Sequence, residues 1–302
     1  MKKSIVIMMA TYNGEKYIDE QIRSIYEQKG EFDITLMVRD DNSTDKTLDI
    51  VKGWRDKLNI TIVEDDKSLG AAKSFWKLLE MAPEANYYAF VDQDDRWNEN
   101  KLSTAITVLE KITGAALWCS DCRLIDSDGN LLKEKMHEIL PNLSIESQMV
   151  CGEIQGCAMV FNSSARQLVL SKPIKAMPMH DIVFILNVVA NGTVVYEETP
   201  FFDYRMHANN VVAKEGKSFF RKLKDTYNLW IKNKYMVSNF AEDFLNLNKD
   251  SLSEEQKAYL SKLVKCKKDF ISRIWIVMSE HTTSANKRGL RSFKIRTLLG
   301  LI

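Results

Sequence analysis

Three carboxylates occupy four positions in Phe90-Val91-Asp92-Gln93-Asp94-Asp95-Arg96-Trp97, directly after an apolar lead-in from Tyr87 to Val91. Carboxylates this close repel one another unless a cation neutralises them. Mg²⁺ and Mn²⁺ prefer oxygen ligands, and Mg²⁺ commonly takes one or two carboxylates plus phosphate oxygens of a substrate. An acidic cluster at the end of a parallel strand also lies where open α/β sheets bind ligands. The bland alternative is an acidic surface turn.

Other residues with chemical capacity recur at similar places. Thr11-Tyr12-Asn13-Gly14 could hold a base or ribose, or be a plain capping turn. In Arg39-Asp40-Asp41-Asn42-Ser43-Thr44-Asp45, Ser43 or Asn42 can cap a helix, which leaves the pair Asp40-Asp41 unexplained. One of that pair is placed to accept a hydrogen bond from a nucleobase imide. Lys73, in a first helical turn, is a surface lysine or a phosphate contact. Gly156, before Cys157, permits close approach of substrate or backbone. Asp181 opens an apolar helix after His180 and is either a helix-terminal carboxylate or a base. His180 is the rival base.

These residues need elements to position them. Strands are predicted over 4–10, 34–38, 60–63, 87–91 and 115–119, each followed by a chain turn and most by a helical pattern. The alternation predicts a doubly wound parallel sheet. The first helix should bury Tyr17, Ile18, Ile22 and Ile25. Leu124 to Asn130 signals a hairpin turn, 155–161 a Gly-led strand, and 193–204 a strand-like run. Neither GxGxxG nor GxxxxGK[ST] follows any strand, which excludes the usual NAD and ATP loops.

The chain has 302 residues, 45% hydrophobic and 27% charged, ordinary values for a globular protein. Its formal net charge of +1 conceals an asymmetry. Residues 214–302 hold 19 Lys and Arg against 9 Asp and Glu, and residues 1–213 hold 23 against 32. An acidic body, 1–213, therefore precedes a basic, helical region, 214–302, whose charge points to an anionic partner. Helices are predicted there over 219–237, 238–247, 253–279 and 286–299. No apolar run reaches the roughly 20 residues of a membrane helix. The apolar N-terminal run reads as a core strand rather than a signal peptide. Five cysteines, an odd number, suit reduced thiols in a cytosol. Cys119 and Cys122, with Cys151 and Cys157 nearby in sequence, have zinc-like spacing but lack a second CxxC, so they read as structural.

Ala10 to Asn13, Val38 to Asp45 and Val91 to Asp95 occur in order at successive strand ends. Together they resemble the inverting GT-A glycosyltransferases that use nucleotide-sugar donors. The Asp-Gln-Asp-Asp-x-Trp form and Tyr204-Arg205-Met206-His207-Ala208-Asn209-Asn210-Val211-Val212 resemble bacterial rhamnosyltransferase-like enzymes of surface polysaccharide synthesis. The resemblance implies a GT-A fold, a Rossmann-like mixed sheet, with a C-terminal α-helical extension. It implies that Thr11, Tyr12 and Asn13 line the base and ribose, with Asp41 facing the base. Asp92-Gln93-Asp94 maps onto the family's DxD. Asp94 becomes the metal ligand, Asp92 and Gln93 lie near the donor, and His207 takes a metal or diphosphate role. Asp181 becomes the acceptor-activating base. Many relatives carry Arg where Lys73 stands, and Lys cannot form the same planar fork.

The expected activity is inverting transfer of a sugar, L-rhamnose from dTDP-rhamnose, to a glycan or lipid-linked glycan, with Mg²⁺ or Mn²⁺. A sugar nucleotidyltransferase would need a Gly-rich loop after the first strand, and Ala-Thr-Tyr-Asn-Gly is not one. The remaining alternative is a silent nucleotide-sugar or glycan-binding module. A cytoplasmic enzyme is expected, peripheral on an anionic membrane through the basic amphipathic run 287–299 or self-associated through its C-terminal helices. Nucleic acid is not the expected partner.

Overall fold

The computed structural model describes residues 2–65, 67–207 and 230–302. The boundary expected at 213/214, the 208–212 end of the histidine motif and most of the helix expected over 219–237 lie outside those residues. By internal contacts the chain forms two compact units. One is Met1–Glu138, Ile154–Ser171 and Gly192–Met206; the other is Ile139–Glu153, Lys172–Asn191 and His207–Ile302.

The first unit is built on continuous apolar strands, the pattern of strands covered on both faces. These are β1 (Lys3–Thr11), β2 (Phe32–Asp40), β3 (Asn59–Val63), β4 (Tyr87–Asp92) and β6 (Ala116–Ser120). Parallel pairing of β1 with both β2 and β4 brings Thr11, Asp40 and Asp92 to one end of the sheet. Helices α1 (Ile18–Tyr26), α2 (Thr47–Gly53), α3 (Ala71–Met81) and α4 (Lys101–Leu109) make the crossovers. Ile18, Ile22 and Ile25 are buried on α1, the face their spacing predicts.

Three differences from the sequence reading follow from local chemistry. First, β9 (Met159–Asn162) runs antiparallel between β4 and β6, so the sheet is mixed, as the resemblance implies, and not the parallel sheet that the alternation alone predicts; strand periodicity carries no direction. The expected strand over 155–161 begins instead as a 3₁₀ turn, Gly156–Ala158, and the Cys157 carbonyl accepts from Lys101 Nζ. Second, Pro200 divides the run 193–204. β10 (Thr193–Glu197) joins β6 in the seven-stranded sheet. β11 (Phe202–Arg205) enters a second sheet with β5 (Arg96–Trp97), β7 (Arg123–Ile125) and β8 (Leu131–Lys133). Third, Ser43 and Asn42 do not cap α2; Ser43 bonds Asp40 instead. The hairpin signalled over 124–130 joins β7 to β8, with Asp126 accepting from the Asp128 and Asn130 amides. Helix α6 (Ser163–Leu170) completes the unit.

The second unit is helical: α5 (Ile145–Val150), α7 (His180–Asn191), α8 (Met236–Asn248), α9 (Glu254–Lys265), α10 (Phe270–Met278) and α11 (Lys287–Leu298). The run 253–279 breaks into two helices. Ser253 and Gln256 form a capping box at the first, and the Asp269 carboxylate caps the second. Buried Glu153 accepts from the Asn142 and Ala285 amides and the Ser147 hydroxyl, tying the α5 segment to the chain leading into α11.

Candidate active site

The acidic turn sits where β4 ends, on residues 93–95, before the chain enters β5. Asp92 and Asp94 are half-buried and Asp95 is fully buried. Burial first, then the charges of Asp94 and Asp92, push the Asp95 carboxyl well above the usual carboxylate range. Arg205 grips this turn from β11. Its backbone amide donates to Asp95 Oδ1 at 3.2 Å and its Nε to the Asp94 carbonyl at 2.8 Å. Its guanidinium is buried, pairs with Glu20 and lies 4.7 Å from the Tyr17 ring centroid. Glu20 also meets Arg96, and Arg96 and Arg123 share buried Asp203, so charges of both signs brace the small sheet.

Gln93 does something the sequence did not reveal. Its Oε1 accepts from the Tyr12 amide and its Nε2 donates to the Tyr12 carbonyl, both at 3.0 Å. The middle residue of the acidic motif therefore ties the β4 turn to the β1 turn. Gly14 is required by that contact, because a Cβ there would lie 2.3 Å from Gln93 Oε1. Thr11 and Asn13 also bond within the protein, Thr11 buried and Asn13 exposed. The Thr11 hydroxyl donates to Asp40 Oδ1 at 2.7 Å, and Asn13 Oδ1 accepts from the Thr44 amide at 2.9 Å. Tyr12, at 57% exposure, presents its ring to solvent, and Asn13 is exposed beside it.

Asp41 is saturated by internal donors. Oδ1 accepts from Arg39 and the Leu69 amide, and Oδ2 from Ser68 and the Gly70 amide. Burial opposes ionisation, yet Arg39 and these donors outweigh it and lower the pKa to about 2. Arg39 is itself wholly buried and also donates to Ser74 and the Lys67 carbonyl. Asp41 thus fixes the loop before α3, where Lys73 stands exposed.

Asp92, Asp95 and Cys157 place ligand atoms within 4.8 Å of one another. Cys157 is buried and its thiol is pushed well up, by burial first and then by Asp95 and Asp92. A neutral thiol does not suit a hard cation, whereas half-exposed Asp92 and Asp94 do. Cys119 and Cys122 are buried thiols, likewise raised by burial, and belong to no metal-like group among the described residues. Lys101 was invisible in the sequence as a site-supporting residue. Its ammonium is fully buried 4.2 Å from the Trp97 ring centroid and 4.3 Å from that of Phe202, and burial lowers its pKa to about 8.

In the helical unit, His180 and Asp181 begin α7. His180 is buried, and burial lowers its pKa. Asp181 is half-buried, its Oδ1 accepting from the Ile182 amide at 2.8 Å. His207 is half-buried. A separate cleft at the strand-start end of the large sheet is lined by Ser4, Asn86, Tyr88 and Arg166. Its Arg166 is occupied by the Leu79, Glu80 and Ala82 carbonyls and serves as a helix cap.

Residues 6–169, which carry the first three strand-end clusters, match Glycosyl transferase family 2. The chain belongs to that family. Among its relatives, the dTDP-rhamnosyl transferase RfbG of Shigella flexneri is 42% identical over 107 residues, 33% of this chain and 36% of that protein. The poly(ribitol-phosphate) beta-N-acetylglucosaminyltransferase TarS of Staphylococcus aureus is 34% identical over 114 residues, 37% of this chain and 19% of that protein. The chain thus spans well under half the length of these two relatives. The structure of TarS 1–349 in complex with UDP-GlcNAc matches with a TM-score of 0.63 and 18% identity, over 99% of this chain and 89% of that one. The mannosyltransferase PcManGT of Pyrobaculum calidifontis, in complex with GDP-Man and Mn²⁺, matches at 0.52 and 16%, over 99% and 88%. These likenesses show a GT-A fold.

Two outcomes are expected. Asp41→Asn loses about 2 kcal/mol of unfolding free energy at pH 7. Because the folded pKa lies below the unfolded one, the difference shrinks as pH falls from about 4 and vanishes below about 2, as denaturant titrations across pH will show. Gln93→Glu, isosteric but unable to donate to the Tyr12 carbonyl, destabilises by about 1–3 kcal/mol in the same assay at neutral pH.

Proposed function

We propose that this chain is an inverting, nucleotide-sugar-dependent glycosyltransferase. The observation that carries the reading is the acidic turn, clamped by Arg205 and joined through Gln93 to the β1 turn in a family 2 chain. Tyr12 offers an exposed ring to the base. Asp41 holds the 68–70 loop beside it, and contacts the base by exchanging one of its internal donors. Asp92 and Asp94 hold a divalent cation, Mg²⁺ or Mn²⁺, with His207 as a further contact. When bound, the ion supplies Lewis-acid stabilisation to the charge gathering on the departing diphosphate. Lys73, being exposed, is available to the donor phosphates; Gly156 and Cys157 shape the floor beneath the sugar.

Inverting transfer is one in-line displacement at the anomeric carbon, so a base must take the acceptor hydroxyl's proton opposite the leaving group. Asp181 fills that role. Its half-exposed carboxylate at a helix start is accessible, whereas His180 beside it is buried. The likeness to RfbG favours L-rhamnose from dTDP-rhamnose as donor. The acceptor is a bacterial surface glycan or its lipid-linked precursor, met by a cytoplasmic enzyme peripheral on the membrane.

The test is transfer from dTDP-rhamnose, UDP-GlcNAc and GDP-mannose, each with and without Mn²⁺. Metal-dependent turnover fastest with dTDP-rhamnose is expected; turnover of none of them contradicts the reading. Asp181→Asn should lower kcat by about 10²–10⁴-fold with donor affinity unchanged. A variant that transfers at the wild-type rate removes Asp181 as the base.

A further inference from the structure

Among the described residues, the helical unit carries an apolar face that stands exposed. On α10, Phe270, Ile271, Ile274, Trp275 and Met278 are between 39 and 78% exposed. At 3.6 residues per turn the five fall within an arc of about 140°, while Ser272 and Ile276 on the other side are buried. Helix α10 packs against α9 and α11, and Ile295, Leu298 and Leu299 are exposed on or just beyond α11. Single exposed apolar residues are ordinary; five on one face of a nine-residue helix are not.

Charge decides what such a face meets. Residues 254–302 hold eleven Lys and Arg against four Asp and Glu. Lys265 and Lys268 are exposed just before α10, and Lys287, Arg288 and Arg291 are exposed on α11. Of the acidic groups nearest α10, Asp269 caps the helix, accepting from the Ile271 and Ser272 amides, and Glu280 is exposed beyond its end. Lys267 is neutralised by Glu242.

We propose that this face of α10 docks on an anionic lipid leaflet. Phe270, Ile271, Ile274 and Met278 enter the acyl boundary, and Trp275 lies at headgroup level, where an amphipathic ring is stable. The exposed lysines and arginines meet the lipid phosphates. A second copy docked by the same face would bring two net-basic regions together, since a two-fold interface uses the same patch on both copies. The surface extends the one the sequence suggested: 270–278 adds an apolar face to 287–299, which contributes Lys287, Arg288 and Arg291 with Ile295, Leu298 and Leu299. The inference deepens the peripheral-enzyme reading and rests on it. Vesicle binding is measured apart from glycosyl transfer, so each fails visibly without the other.

The experiment is co-sedimentation of the full chain with vesicles of phosphatidylcholine alone, and of roughly three parts phosphatidylcholine to one of phosphatidylglycerol. Binding to the anionic vesicles only, weakened by added salt, is expected. Ile271→Asp with Met278→Asp, the two most exposed positions, should reduce it at least about tenfold with unchanged circular dichroism. If that variant fails to fold, wild-type quenching by brominated lipid, reduced in Trp275→Phe, provides the same reading. Three results overturn the proposal: no preference for anionic vesicles, equal binding by wild type and variants, or a wild-type dimer that the variants dissociate without any vesicle binding.

Discussion

Like charges crowded at one strand end are the constraint on which the first unit depends. Asp92, Asp94 and Asp95 cannot all be ionised and unsupported without strong mutual repulsion. The protein meets this in two ways. Asp95 is buried, which favours its neutral form, and accepts the Arg205 amide. Asp92 and Asp94 are half-exposed, so solvent ions screen part of their mutual repulsion. The repulsion is local, and the apparatus that contains it is not: Arg205 arrives from β11, Glu20 from α1, and Gln93 reaches to the β1 turn.

That apparatus makes the strand-end turns one connected body. Gln93 bonds both sides of the Tyr12 peptide, Thr11 bonds Asp40, Asn13 bonds Thr44, and Asp41 bonds the 68–70 loop. Most of the polar side chains in these turns are occupied in holding the turns. Tyr12, Asn13 and Lys73 stand exposed, and Asp92 and Asp94 are half-exposed. A site preorganised in this way needs little rearrangement to receive a ligand, which lowers the entropic cost of binding.

The first five core strands were legible because continuous apolar runs ended in polar turns, and their observed limits differ from the expected ones by a residue or two at most ends. The reversed direction of β9 was not legible, since an apolar run reads the same in either direction. Neither was the division at Pro200 between two sheets, because a proline marks a break without saying where the next strand pairs. Within the site, the acidic turn declared itself by charge density. The partners that govern it did not: Arg205 lies more than a hundred residues away in sequence, and Lys101 looks like any surface lysine at a helix start. Thr11, Asn13, Asp41 and Gln93 have side chains suited to a ligand, yet they bond within the protein to partners that are distant in sequence. The exposed face of α10 was hidden for a different reason. Its run Phe-Ile-Ser-Arg-Ile-Trp-Ile-Val-Met is apolar nearly all round, so the sequence does not say which side is covered.

The central claim is that the Asp92–Asp94 turn takes a divalent cation together with a nucleotide diphosphate. Titration calorimetry of Mn²⁺ into the protein, with and without dTDP, tests it most directly when wild type is compared with Asp94→Asn. The account predicts one Mn²⁺ per chain, bound more tightly when dTDP is present, with that linked binding weakened at least about tenfold in the variant. Mn²⁺ binding that is indifferent to dTDP, or the same in Asp94→Asn as in the wild type, would contradict it.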